Sequence, residues 1–228
     1  MDIINSVQYI CYVIIKNVVK FKMGTAERKE REKAELKELI LKTAKDILVK
    51  NGQDGLSIRK IASIVEYSPA TIYLYFKDKD EILHELMEVG FKMMGSYMKH
   101  ISPDMSPIER IHKTGEAYIK FGLENKDWYD LMFNSEKPMK HIFDCGAEWN
   151  EGMNMFNFLV LNCDQAIKQN KLTNLEPQIL ALQLWSTVHG LVNLTLSERM
   201  CIVVDGAPND LINKTLNSML VSIFNQAK

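Results

Sequence analysis

Residues 51–83 read NGQDGLSIRKIASIVEYSPATIYLYFKDKDEIL, and this stretch leaves little freedom of fold. Two short helical segments, 57–65 and 68–76, stand only a few residues apart. Ser57 can cap the first by accepting a backbone N–H. Ser68 can cap the second, with Pro69 at its first position, where a missing N–H costs nothing. So tight a turn forces the two helices to cross steeply, the helix-turn-helix arrangement. Ile58, Ile61, Ala62 and Ile72 fall at the crossing, with Ala62 small where the helices must approach. Thr71, Tyr73 and Tyr75 then lie on or near the outward side of the second helix, behind a slim leading end of Pro69 and Ala70.

Elsewhere helical spacing prevails and strand alternation is missing. Leu36, Ile40, Thr43, Ile47 and Leu48 recur through 27–50, and Asn51-Gly52 stops that helix. Lys79 opens a long pattern that runs to Ile101 and ends at SPDMSP, whose proline pair closes the N-terminal module. Further helices read at 106–124, 126–134, 138–170, 176–199 and 208–226. The 138–170 stretch is expected to bend near Gly146 or Gly152, and residues 205–208 to turn into the last helix. The chain is therefore expected to be all-α, with a three-helix helix-turn-helix domain at 23–80 and a larger helical domain at 81–228. Residues 1–22 are apolar in the middle but interrupted by Asn5, Gln8, Lys16 and Asn17. They read first as an extension outside the fold, next as an extra amphipathic packing helix, and last as a membrane anchor.

With 228 residues and 46% hydrophobic content the chain can bury a sizeable core without staples. Cys11, Cys145, Cys163 and Cys201 form no CxxC pair and read as reduced thiols of a cytoplasmic protein. The net charge is −1, but residues 1–80 carry 15 Lys and Arg against 11 Asp and Glu, which permits an N-terminal half that approaches phosphates.

The 51–83 stretch closely resembles the N-terminal domain of TetR-family transcriptional regulators. The resemblance is carried by Gly52, by Ile58 and Ile61-Ala62, by Ser68-Pro69-Ala70-Thr71-Ile72-Tyr73, and by Tyr75-Phe76 followed by Lys77, Lys79 and Leu83. The family often has Gly in the turn where this chain has Glu66. A left-handed non-Gly residue there costs on the order of 1 kcal/mol. The resemblance implies binding to a double-stranded DNA operator as a homodimer. Ser57, Ser68, Pro69, Ala70, Thr71, Tyr73, Tyr75, Lys77 and Lys79 are the expected DNA-contact residues, with the lysines at phosphates.

The C-terminal half is expected to bind ligand and make the dimer. NKDWYDLMF (125–133) and WSTVHG (185–190) resemble the C-terminal domain named for its Trp-His-Gly signature. Trp185 and His189 are four residues apart on one helix face, and Gly190 permits close approach of a neighbour. The aromatic and Met richness of 118–158, including Tyr118, Tyr129, Phe143 and Phe156, suits a cavity for an apolar effector and equally an ordinary helical core. The expected ligand-binding residues are Phe121, Trp128, Met132, Phe133, Trp149, Met153, Trp185 and His189. The last helix is apolar on one broad face, and Gly190, Ile212, Leu216, Met219 and Ile223 are the expected dimer contacts. No HExxH, CxxC, GxSxG or phosphate-cradling Gly loop is present, and no catalytic residue, metal or cofactor is expected. The expected function is a ligand-responsive repressor with no membrane partner. The alternative, a helical small-molecule-binding or adaptor protein acting through protein partners, would have lost the Thr71, Tyr73 and Lys79 set, which is intact.

Overall fold

The computed structural model describes residues 25–172, 175–203 and 208–224, and every regular element among them is helical. Residues 1–22 and the turn at 205–207 lie outside the described residues. Helix α1 (Thr25–Asn51) is exposed at its start, where Arg28–Glu32 and Arg31–Glu35 pair along the helix. Its second half buries Ile40, Ala44, Ile47 and Leu48. It ends at Gly52, in the left-handed region with φ 66°, and a single 3-10 turn follows (Gln53–Gly55). Helices α2 (Ile58–Ile64) and α3 (Pro69–Ile72) follow the expected caps: Ser57 Oγ accepts Lys60 N–H at 3.2 Å, and Ser68 Oγ accepts Thr71 N–H at 3.1 Å. Between them Glu66 has φ 59°, so this turn is left-handed without a glycine. Tyr67 N–H closes it on Ala62 O at 3.0 Å.

Helix α3 is shorter than the 68–76 expected. After Ile72 the bonds tighten to i→i+3, with Leu74 N–H on Thr71 O and Tyr75 N–H on Ile72 O, so the chain coils tightly into the next element. That element, α4 (Lys79–Tyr97), starts with a reciprocal cap: Asp78 accepts Glu81 N–H, and Glu81 Oε2 accepts Lys77 N–H at 2.6 Å. Helix α5 (Pro107–Glu124) has a full capping box from Ser106 and Glu109. Next come the four-residue α6 (Lys126–Tyr129) and a π-helical turn (Asp130–Asn134).

The 138–170 stretch is two helices, α7 (Glu136–Cys145) and α8 (Asn150–Gln169), divided at Gly146, whose φ of 64° caps α7. Gly152 is not a bend: it sits inside α8 under the Trp149 indole. Helices α9 (Pro177–Leu196), α10 (Met200–Val203) and α11 (Pro208–Phe224) complete the chain. Helix α4 packs on α7 and α8, α5 on α8 and α9, and α11 on α5, over one continuous apolar core. Gly122 lets α5 close on Val192 of α9 and on the Tyr129 ring, where an added Cβ would meet Val192 Cγ1 at 2.7 Å.

Candidate functional site

The first candidate surface is the outer side of α3. Pro69, Ala70 and Tyr73 are exposed, Tyr73 to 55%, and Leu74 and Tyr67 stand exposed beside them. A large apolar side chain in water on a tightly held turn is informative, because packing supplies no reason for it. Ile72 and Phe76 face inward and are buried. Tyr75 is half-buried against the core, and Ser57 is exposed. Thr71 is half-buried, its hydroxyl 2.9 Å from Ser68 Oγ, so two of the expected hydroxyls hold each other in place. Lys77 is exposed and reaches Cys145 Sγ at 3.7 Å.

Lys79 departs from its expected phosphate role. Its ammonium is half-buried and donates to Gln53 O at 2.7 Å. Desolvation, with Lys137 nearby, lowers its pKa from the ordinary lysine value. Here it ties α4 to the 3-10 turn, and a phosphate would have to compete with that carbonyl. Gln53 is a joint in a second way: its side chain accepts the Ser135 hydroxyl proton at 2.7 Å, which links the turn to the segment after the π turn.

The second candidate is a pair of adjoining cavities among the helices that follow α3, of about 60 and 40 Å³. Phe91 and Met94 of α4, with Met98 just past its end, line the larger, and Phe133, Trp149 and Phe156 line it too, the first two edge-on to Phe91. Thr114, Tyr118, Leu159 and Trp185 border both. Of the expected ligand residues, Phe133, Trp149 and Trp185 line this space. Phe121, Trp128 and Met132 do not: they are buried packing, with Trp128 and Met132 against Gly90 of α4, where an added Cβ would meet Met132 Sδ at 2.6 Å. Met153 is on the outer side of α8 and exposed. Their helical spacing resembles that of the lining residues, and only the packing of α4 on α6 and α8 separates the two sets. Phe91, Met94, Met98, Met155 and Leu159 were missed, being ordinary apolar positions on α4 and α8.

His189 stands behind the cavity, stacked on Tyr129 and edge-on to Phe133 and Trp185. Its Nδ1 is 2.6 Å from Tyr129 Oη and 3.1 Å from Tyr118 Oη, and Trp185 Nε1–H donates to Tyr118 Oη at 3.2 Å. Burial lowers the His189 pKa, so the ring is neutral at pH 7. Desolvation raises both tyrosine pKa values, so both phenols stay protonated.

The expected dimer contacts also need correction. Ile212 and Leu216 are 1% and 2% exposed, turned into their own subunit, with Leu216 packed on Gly115 of α5. Met219 lines the smaller cavity, and Ile223 is half-buried. Val221 of α11 is exposed, and so are Ile179, Leu182 and Leu194 along one side of α9. Gly190 lies between them, with nothing near where a Cβ would stand. Helix α9 is long and apolar enough to cross a membrane by composition alone, but it packs here on α5 and α8.

Comparison with known proteins agrees with this geometry. Residues 40–86 match the model of the bacterial regulatory proteins of the tetR family, and residues 111–219 match a tetracyclin repressor-like C-terminal domain. The second match does not name the Trp-His-Gly subgroup suggested by residues 185–190. An uncharacterized HTH-type transcriptional regulator of Haemophilus influenzae is 27% identical over 157 residues, 66% of this chain and 78% of that protein. The fold is shared with a Rhodococcus protein of unknown function (TM-score 0.64, 20% identity, 84% of this chain and 94% of that one). It is shared also with the transcriptional regulator FadR from Bacillus subtilis, solved with stearoyl-CoA (TM-score 0.57, 17% identity, 82% of this chain and 97% of that one). The chain belongs to the TetR family of transcriptional regulators.

Proposed function

We propose that this regulator is a cytoplasmic repressor that binds a palindromic operator as a homodimer and is released by an apolar effector held in the cavity. The observation that carries the reading is α4, which is bonded to the turn and helix beside α3 at one end and lines the cavity at the other. Its first residue is bonded to the head at Gln53, and Lys37 of α1 pairs with its Glu85 at 2.8 Å. Its later residues Phe91 and Met94 are cavity wall. A ligand that favours one placement of this wall thereby favours one placement of the head. In this division the head is 23–80 and the effector and dimer domain 81–228.

The exposed and half-buried residues around α3 would contact DNA: Tyr73, Thr71, Ser68, Pro69 and Ala70 in the groove, and Ser57, Tyr75 and Lys77 toward the backbone. The apolar stripe of α9 and α11 would be covered by a second copy, since an exposed patch of this kind in a regulator needs cover and a twofold mate supplies the same patch. Selection of bound duplexes from a randomised pool tests the proposal. It should enrich an inverted repeat whose half-site centres are about 34 Å apart or a multiple of that. Absence of any enriched sequence would contradict it.

A further inference from the structure

Tyr118 borders both cavities, and the hydrogen bonds behind it have a direction that can be followed inward from the surface. At the outer end the Asp130 carboxylate can only accept. It takes one proton of Asn134 Nδ2 at 2.8 Å, and the same nitrogen donates to Asn193 Oδ1 at 3.0 Å. Asn193 therefore turns its Nδ2 to His189 Nε2 at 3.0 Å, so Nε2 is the bare nitrogen of the neutral ring. The ring proton is then on Nδ1 and goes to Tyr129 Oη at 2.6 Å. Tyr129 in turn donates to Tyr118 Oη at 3.1 Å, which also receives Trp185 Nε1–H. Both lone pairs of Tyr118 are filled. Its own proton is left over, since its one further neighbour, His189 Nδ1, is itself a donor.

A second donor belongs to another lining residue. Trp149 Nε1–H is buried without a partner, and both Trp149 and Gly152 beneath it line the larger cavity. No charged side chain lines either cavity. We propose that the cavity recognises a neutral, mainly apolar molecule by one hydrogen-bond acceptor, a ketone, ester or amide oxygen that receives the Tyr118 hydroxyl proton. The proposal rests on the ligand-responsive reading above and names the class of ligand. An ionised carboxylate would be buried there with no cation to pair it. The aromatic walls suit a flat ring, and Met94, Met98 and Met155 are flexible enough to widen the space around one.

The test uses the whole protein without DNA and three probes of nearly one shape: acetophenone, its alkene isostere α-methylstyrene, and benzoate. Calorimetric titration at neutral pH should give about tenfold tighter binding for the ketone than for the alkene. Benzoate should bind more weakly than either. Tyr118→Phe should abolish the preference for the ketone and keep binding of the alkene. Equal binding of ketone and alkene by the wild type, tightest binding by benzoate, or no binding of any probe at millimolar concentration overturns the proposal. The wild-type comparison decides the matter even if Tyr118→Phe fails to fold. Because no DNA is present, failure here leaves the operator reading standing, and failure of the DNA selection leaves this result standing.

Discussion

His189 is the residue whose chemistry most directly tests the buried network. Its folded pKa lies below the ordinary value near 6.5 because burial disfavours the charged ring. Between those two values the unfolded chain binds a proton that the folded chain does not, so stability falls as pH drops through that window. Denaturant titrations from pH 7 to 5 should show this loss, and His189→Gln should flatten it. An unchanged slope in the variant would place the acid sensitivity elsewhere. The thiols offer a second check. Cys163 is fully buried, its pKa pushed up to about 12, whereas Cys145 and Cys201 are exposed. Iodoacetamide should label those two and spare Cys163 in the folded protein. At this scale the sequence was only partly legible. Trp185 and His189 could be paired from their spacing, but their partners Tyr118 and Tyr129 come from other helices. Nothing in a single segment says which of two neighbouring aromatics faces a cavity.

Among the elements, the helix-turn-helix was readable almost residue by residue, because Ser57, Ser68, Pro69 and the turn act locally. What could not be read was the shortening of α3, the π turn at Asp130–Asn134, and which side of α11 is open. The broad apolar face of 208–226 was legible, but Ile212 and Leu216 on it are buried within the subunit, where α11 packs on α5 and α9, which only the assembled fold reveals. This changes the expected mutational result. Leu216→Glu should unfold the subunit, while Leu182→Glu with Val221→Glu, at the proposed interface, should leave it folded and monomeric in sedimentation. Glycines sort by the same logic. Gly95 has open space around it, so Gly95→Ala should stabilise by about 0.5–1 kcal/mol. Gly122→Ala should instead cost about 1–3 kcal/mol from overpacking against Val192 and Tyr129. Thermal melts of the two variants should move in opposite directions.

For the whole molecule, the all-α class followed from periodicity and turn chemistry alone, and a small head with a larger body is the proposed division. The joints between them did not follow, because Gln53, Lys79 and Ser135 carry no pattern that marks them as neighbours. Gln53 is bonded to α4 through Lys79 and to the segment after Phe133 through Ser135, so head placement and cavity shape share two connections. In the proposed function two such heads read DNA through α3. The most direct measurement is a binding titration of wild type and Tyr73→Ala against the selected inverted repeat and against a duplex carrying only one arm. Two chains should bind each full site, and the single arm should bind weakly. Tyr73→Ala should lose about tenfold in affinity, with the helical content and melting temperature unchanged. Wild-type affinity and sequence preference retained in a folded Tyr73→Ala variant, or one chain saturating the full site, would contradict it.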